Sequence, residues 1–172
     1  MKPLPVIPWY SSGLQFTCTE CGNCCTGGPG YVWISPDEID RLAKHLKLSR
    51  KETLQAYCRR IGGRISLKET RTPQDNYDCI FLREIPPTPA ERRRGQRLPK
   101  RICSIYSVRP LQCRTWPFWH GNLYDKEAWN RAATRCPGLN TGRHYTQQQI
   151  EHLRDTPDWP DNPPTSADPK NP

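Results

Sequence analysis

The sequence predicts a small, loop-rich α+β domain that is stapled by metal and has several short helices and strands. Four cysteines stand within eight residues, in the run CTECGNCC. Hydrophobic residues make up only 34% of the chain, which is lean for a domain that depends on its apolar core. Nineteen of the 172 residues are proline, which shortens regular elements. A domain with a small hydrophobic core usually needs additional cross-links, either metal ions or disulfides.

Two helices are predicted in the first half of the chain from their capping signals. Ser35 is followed by Pro36, which favours the first helical position, and apolar residues recur at helical spacing over 39–46. Ser49 with Glu52 three residues later forms a capping box. We expect this second helix to carry Cys58 on its apolar face and to stop at Gly62.

The remaining elements are shorter. Strands are predicted at 31–34, 64–70 and 78–83, and helices near 108–114, over 126–134 and from 147 to about 154. The predicted domain spans residues 16–154, between an N-terminal arm at 1–15 and a proline-rich tail at 155–172 that we expect to be disordered. Residues 85–101 form a basic, proline-rich insertion that we expect to be a loop.

The net charge of +9 is concentrated in this insertion, which carries six cations: Arg92, Arg93, Arg94, Arg97, Lys100 and Arg101. A solvated loop explains such a run, and a surface for nucleic acid or an acidic partner is the alternative. The N-terminus lacks the apolar region of a secretory signal, and no stretch is long enough to cross a bilayer. We therefore expect a cytoplasmic protein without a membrane partner, and structural disulfides are rare in that compartment.

The cysteine run has the spacing of a metal site. Cys18 and Cys21 are separated by two residues, as in a metal knuckle, and Cys24 repeats the spacing. Gly22 fits such a turn because it tolerates a positive φ. Cys25 directly follows Cys24, and because neighbouring side chains diverge, we expect two nearby metals or a larger inorganic cluster. Crowded thiolates repel one another unless a soft cation neutralises them.

Four scattered cysteines bring the predicted ligands to eight, the number that fills two all-thiolate tetrahedral sites. The predicted ligands are Cys18, Cys21, Cys24, Cys25, Cys79, Cys103, Cys113 and Cys136. The bound metal is zinc or iron, and the iron could belong to an iron–sulfur cluster. Cys58 is set aside as a core thiol. Arg109, Arg114 and Arg135 either offset the negative charge of the thiolates or are solvated at the surface.

With these residues in view, the chain resembles the YkgJ-type cysteine-cluster family, whose members are expected to chelate zinc or iron. The resemblance rests on FTCTECGNCC, YVWIS, DCIFL, CSIYSVRPLQCRTWPFW and CPG, between about Phe16 and Leu153. It implies the same eight cysteine ligands, and it also includes Tyr106, Arg109 and Pro110, which would shape the loop around Cys103 and Cys113. The long basic insertion and Cys58 depart from the family pattern.

Three hypotheses about function follow. The first is a metal-binding protein in which the metal has a structural or redox role. The second is a zinc-stapled nucleic-acid-binding module that uses residues 92–101. The third is an iron–sulfur enzyme linked to S-adenosylmethionine or another substrate, which predicts a pocket with free polar groups beside the cysteines.

No catalytic constellation is apparent in the sequence, which leaves open whether the protein is an enzyme. It has no nucleophile elbow, no phosphate-binding glycine loop and no recognisable carboxylate pair. His120 is explained as a residue at the edge of an aromatic cluster, and Trp116, Phe118 and Trp119 as core residues.

Overall fold

The computed structural model describes residues 7–157, and these confirm the predicted α+β class. Short helices alternate with short antiparallel strands, which pair in small separate sheets. The first six residues of the predicted arm, and the predicted tail from residue 158 onward, lie outside the described residues.

The first half of the chain begins its regular structure with the two predicted helices. Helix α1 spans Pro36–Leu46 and helix α2 spans Arg50–Tyr57. In each, the side chain of the capping serine accepts a hydrogen bond from a backbone N–H three residues on, and the glutamate at that position binds back to the serine N–H. Both predicted helix starts are confirmed.

The predicted end of the second helix was wrong. The helix stops at Tyr57, and Cys58–Ile61 forms strand β3, which pairs antiparallel with β4 (Arg64–Leu67). Only the two glycines of the turn separate the strands, and Gly62 has a φ of +56°. Two glycines between apolar runs are typical of a β-hairpin. Cys58 is therefore in a strand of this hairpin, although its spacing also fitted the apolar face of the helix.

The other strands of this half are also shorter than predicted. Strand β2 (Thr26–Gly27), strand β5 (Glu69–Arg71) and strand β6 (Tyr77–Cys79) form a sheet in the order β2-β6-β5. Each of the strands predicted at 64–70 and 78–83 is thus divided into two. Residues 31–34, predicted as a strand, contribute an isolated bridge between Trp33 and Ser66.

The basic insertion is more ordered than the loop we expected. Strand β7 (Leu82–Ile85) pairs with β8 (Lys100–Cys103), and between them the capping residue Thr88 begins the short helix α3 (Pro89–Arg93). The ammonium group of Lys100 contacts Glu91, and the guanidinium of Arg101 lies 3.6 Å from Asp78. Two of the six cations therefore have carboxylate partners.

The second half consists of short helices around one further sheet. The helices are α4 (Leu111–Thr115), α5 (His120–Leu123), α6 (Lys126–Arg135) and α7 (Gln147–Asp155). Strand β9 (Leu139–Tyr145), which the sequence did not predict, pairs with β1 (Leu14–Phe16). Through β1 and the buried Tyr10, part of the predicted arm packs on the domain.

Two hydrophobic clusters result. The first contains the buried Val32, Ile34, Ile39, Leu42, Cys58, Leu67, Cys79, Phe81 and Ile105. The second contains Tyr10, Phe16, Phe118, Leu123, Trp129, Cys136, Leu139 and Ile150. Among the described residues, no pair of strands contributes buried residues to both clusters, so no sheet connects the two.

Glu38 fixes helix α4 against helix α1. Its side chain is buried, and its carboxylate accepts hydrogen bonds from the backbone N–H of Ser35 at 3.0 Å and of Leu111 at 2.7 Å. The guanidinium of Arg114 lies 3.3 Å from the same carboxylate. Glu38 therefore holds the start of α4, the helix that carries Cys113.

Replacing Glu38 with alanine is expected to lower the free energy of unfolding by about 2–4 kcal/mol, because two partly buried backbone donors lose their buried acceptor. Chemical denaturation of the metal-loaded protein measures this loss. Asp37→Ala is the matched control, since Asp37 is an exposed acid in the first turn of the same helix and contributes at most about 1 kcal/mol. Equal losses for the two variants would contradict the bridging role.

Candidate metal centre

A single cavity of about 40 Å³ is lined by all eight of the cysteines that the sequence singled out. They are Cys18, Cys21, Cys24, Cys25, Cys79, Cys103, Cys113 and Cys136. Glu20 supplies the one carboxylate in the lining, and no histidine among the described residues contributes to it. The donor set is thus almost purely sulfur, which suits zinc or iron and not a hard cation such as Mg²⁺.

The ninth cysteine is elsewhere. Cys58 does not line the cavity and belongs to the first hydrophobic cluster. Burial raises the pKa of its thiol to about 11, as expected for an inert core cysteine. The prediction that Cys58 is a core residue is confirmed.

The cavity lies between the two clusters. Cys79 is a buried member of the first cluster, and Cys25, Cys103 and Cys113 pack against it. Cys136 is a buried member of the second. The cysteine side chains therefore come together from parts of the fold that pack independently.

The cysteine-rich loop is shaped by Gly22. This residue has a φ of +74° and precedes a 3-10 turn over Asn23–Cys25, in which the Cys25 N–H donates to the Gly22 carbonyl at 3.0 Å. A Cβ at this position would lie 2.9 Å from a methyl carbon of Leu82. The predicted positive φ is confirmed, and the packing against β7 adds a second reason for glycine.

The two adjacent cysteines do not diverge as we expected. The sulfur atoms of Cys24 and Cys25 lie 3.9 Å apart. A tetrahedral zinc site with Zn–S bonds of about 2.3 Å has sulfur atoms about 3.8 Å apart. The 3-10 turn brings the side chains together, so the spacing of this pair is compatible with one shared ion.

The cavity is not a preformed coordination shell. Among residues 7–157, no group of three or more histidine, cysteine, aspartate or glutamate side chains is arranged to hold an ion. The sulfurs surround a common space without already converging on one point.

Cys25 is hydrogen-bonded to two other thiols. Its side chain interacts with those of Cys103 and Cys24, and these bonds raise the pKa of Cys25 far above that of an ordinary thiol. The same bonds, together with the positive charge of Arg109, lower the pKa values of Cys24 and Cys103 to about 7, against the opposing effect of burial. These bonds thus favour the ionised forms of Cys24 and Cys103 over that of Cys25.

A family model with the description "CxxCxxCC: Putative zinc- or iron-chelating domain" matches residues 17–137 of this chain. That is most of the sequence, and it includes all eight cysteines that line the cavity. The chain belongs to this family. Membership in the CxxCxxCC family supports metal binding in general, and its description leaves the metal as zinc or iron.

One curated relative is an uncharacterised protein, MJ0661, of Methanocaldococcus jannaschii. It is 30% identical over 110 residues, which cover 63% of this chain and 48% of the relative. The chain therefore spans about half the length of the curated relative it matches. No solved structure gives a significant match. None of the helices within residues 7–157 has the length and apolar character needed to cross a membrane.

The motif between Cys103 and Cys113 places three further residues at the CxxCxxCC cavity. Tyr106, Arg109 and Pro110 all line it. The guanidinium of Arg109 lies 3.7 Å from the centre of the Tyr106 ring, and its Nε donates to the Tyr106 carbonyl at 3.0 Å. The Cys113 N–H donates to the Pro110 carbonyl at 3.0 Å, which fixes the turn before α4.

The three arginines considered as counter-charges have different positions. Of these, Arg109 alone lines the cavity. The guanidinium of Arg114 contacts Glu38, and that of Arg135 donates to the Thr26 carbonyl at 3.0 Å. Arg109 is thus the residue placed to offset thiolate charge within the cavity.

Sequence reasoning missed the contact that Trp116 makes with a cysteine, and it gave Tyr106 only the role of shaping the loop around Cys103 and Cys113. The indole N–H of Trp116 donates to the sulfur of Cys136 at 3.5 Å. The hydroxyl of Tyr106 is hydrogen-bonded to Cys18, and this bond raises the pKa of Tyr106. Nothing in the sequence distinguished Trp116 from the other aromatic residues nearby. Phe118 is buried in the second cluster as predicted, whereas Trp116 and Trp119 are only half-buried.

His120 does not approach the cysteines. Its Nε2 lies 3.5 Å from a carboxylate oxygen of Asp155 at the end of helix α7. This position agrees with its assignment outside the metal site.

Proposed function

We propose that this protein binds zinc or iron through its eight cavity-lining cysteines and that the metal has at least a structural role. The observation that carries the proposal is the segregation of the nine cysteines. Eight line one cavity, although they come from five separate stretches of the chain, and the ninth lies in the core.

The position of the cavity supports the structural role. Its cysteines belong to or pack against both hydrophobic clusters, and no sheet formed by the described residues joins those clusters. A cation bound by sulfurs from both sides would link the two halves covalently. This would supply the staple that a chain with so few apolar residues needs.

The charge around the cavity also supports the proposal. Eight thiolates around one or two divalent ions would carry an excess of negative charge. Arg109 offers a positive charge in the cavity wall, and the indole N–H of Trp116 offers a hydrogen bond to a ligand sulfur. Such contacts typically orient ligand sulfurs and stabilise their ionised form.

The chemistry available to the bound group depends on its identity. Zinc on four thiolates has no redox activity and no open coordination position, so its role would be structural. Iron in a cluster would supply electron transfer. A cytoplasmic location is part of the proposal, because the thiols must stay reduced to bind either metal.

Elemental analysis with visible and Mössbauer spectroscopy, on protein purified anaerobically, tests the proposal. A colourless protein with stoichiometric zinc identifies a structural site, whereas broad visible absorption with iron and sulfide identifies a cluster. Protein that is folded and contains neither metal would contradict the proposal.

The two alternatives differ in their support. Nucleic-acid binding would depend on residues 92–101, where Lys100 and Arg101 already have carboxylate partners, and we do not include it in the proposal. An iron–sulfur enzyme linked to S-adenosylmethionine requires a polar pocket beside the cysteines. A pocket lined partly by polar side chains does adjoin the cysteine cavity. Its two arginines favour an anionic ligand.

A further inference from the structure

A second pocket, of about 280 Å³, adjoins the cysteine cavity. The two share three lining residues: Cys24, Trp116 and Cys136. The remaining walls come from the loop at 23–28, from Trp119, from Asn122 of α5 and from one face of α6. A molecule in this pocket would lie directly beside the proposed metal ligands Cys24 and Cys136, and Arg109 does not line the pocket.

The charge of the pocket is positive. Arg131 and Arg135 line it, and no aspartate or glutamate among the described residues does. The two arginines are four residues apart on α6 and so lie on one face, where like charges repel. An anion between them would remove that repulsion.

The two arginines differ in how they are held. The guanidinium of Arg135 donates to the Thr26 carbonyl, and the Asn23 amide donates to the Arg135 carbonyl at 2.8 Å, so this side of the pocket is fixed. The guanidinium of Arg131 makes no hydrogen bond or ion pair with any residue in the described part of the chain. It is exposed and available to a ligand.

Two tryptophan rings form a flat, apolar part of the wall, beside the polar side chains of Asn23, Thr26 and Asn122. The indole rings of Trp116 and Trp119 meet edge to face with their centres 4.9 Å apart. The indole N–H groups are both occupied, in Trp116 by the Cys136 sulfur and in Trp119 by the Gln112 carbonyl at 3.0 Å. The tryptophans therefore offer ring surface and not hydrogen bonds. The space beside Gly28 is open, since a Cβ there would meet no atom within 4 Å.

We propose that this pocket binds a small molecule that carries an oxyanion, such as a phosphate group, on a flat ring. The arginines would bind the oxyanion, and the tryptophan rings would contact the flat part. The volume is near the lower end of the range for small-molecule sites, which excludes a large ligand. This binding site is distinct from metal chelation, because the arginines and tryptophans would contact the small molecule whichever metal the cysteines hold.

Isothermal titration of the metal-loaded protein with phenyl phosphate, inorganic phosphate and phenol tests the proposal. Phenyl phosphate carries both features, and each of the others carries one. We expect phenyl phosphate to bind more tightly than either, and Arg131→Gln to weaken its binding by about tenfold through loss of a charged hydrogen bond. Arg93→Gln, which removes the same charge from α3 outside the pocket, is expected to leave the affinity unchanged.

The outcomes are distinct. Equal affinity for phenyl phosphate and phenol, or equal weakening by both arginine variants, would overturn the oxyanion site. Equal affinity for phenyl phosphate and inorganic phosphate would overturn the role of the tryptophans. The metal content of every sample is measured alongside, so that a failure of metal binding is recognised separately. Because the Arg131 side chain has no partner among residues 7–157, its replacement is not expected to unfold the protein.

Discussion

Replacing Cys103 with alanine is expected to remove about half or more of the bound metal, whereas replacing Cys58 with alanine should leave the metal content unchanged. Cys58 is a buried member of the first hydrophobic cluster and Cys103 packs against it, so both variants delete a sulfur atom that contacts this cluster. They differ in that Cys103 lines the cavity and Cys58 does not. Eight thiolates fill two four-coordinate sites, and a site that has lost one of its four ligands holds its ion much less tightly.

The effect on stability should separate the two variants as well. Cys58→Ala leaves a small void in a packed core and is expected to lower the free energy of unfolding by about 1 kcal/mol. If Cys103 is a metal ligand, as proposed, Cys103→Ala removes a link between the two clusters and is expected to lower the free energy of unfolding by several times as much. Metal content by elemental analysis, together with denaturation monitored by circular dichroism, measures both effects.

Cys103→His provides the rescue experiment for a variant that folds poorly. Histidine is a good zinc ligand, so a zinc protein should recover part of its metal, while a cluster with all-cysteine ligation should recover less. If Cys103→Ala keeps all of its metal, Cys103 is not a ligand. If Cys58→Ala loses metal, the distinction between cavity and core cysteines is wrong.

The parts of the fold that the sequence predicted are those with local signals. The helices that begin at 36, 50 and 147 were predicted from local capping signals, and in the structure each start has a capping box that is complete within four residues. The positive φ of Gly22 was predictable for the same reason, because the turn formed by its immediate neighbours requires that backbone conformation. These signals need no knowledge of the rest of the molecule.

The parts that were missed depend on partners distant in sequence. Strand β9 carries five consecutive exposed residues, one of them a glycine, so it has no alternating pattern. It is a strand because β1 pairs with it. Cys58 fitted the helical spacing of α2, but its pairing with Leu67 across the hairpin decided its conformation. Tertiary contacts prevailed over local propensity in both cases.

The cysteine cavity could be predicted from the sequence, whereas the neighbouring pocket could not. Thiols are rare, and their spacing carries chemical information, so eight cysteines could be grouped before any coordinates were known. Arg131 and Arg135 look like any pair of surface arginines in a helix. Only the fold shows that Trp116 and the loop at 23–28 close a pocket over them.

Removing the metal with a strong chelator is expected to lower the melting temperature by about 10–20 °C. If the ion contributes about 5 kcal/mol, a domain of this size shifts by about 2–4 °C for each kcal/mol. The two clusters would keep their own packing and lose the cation between them. Calorimetry before and after chelation, with elemental analysis of both samples, gives the size of the shift, and restoring zinc or iron should reverse it.

Hydrogen exchange in the chelated protein shows where the loss occurs. The Thr17 N–H donates to the Gly138 carbonyl at 3.1 Å, between the segments that carry Cys18 and Cys136, and the Cys113 N–H closes the turn before α4. We expect these amides to lose protection first. The Ile34 N–H, which donates to the Ile65 carbonyl at 3.1 Å inside the first cluster, should stay protected. An unchanged melting temperature in protein shown to be metal-free would overturn the structural role while leaving chelation intact, because the apolar clusters alone would then hold the fold together.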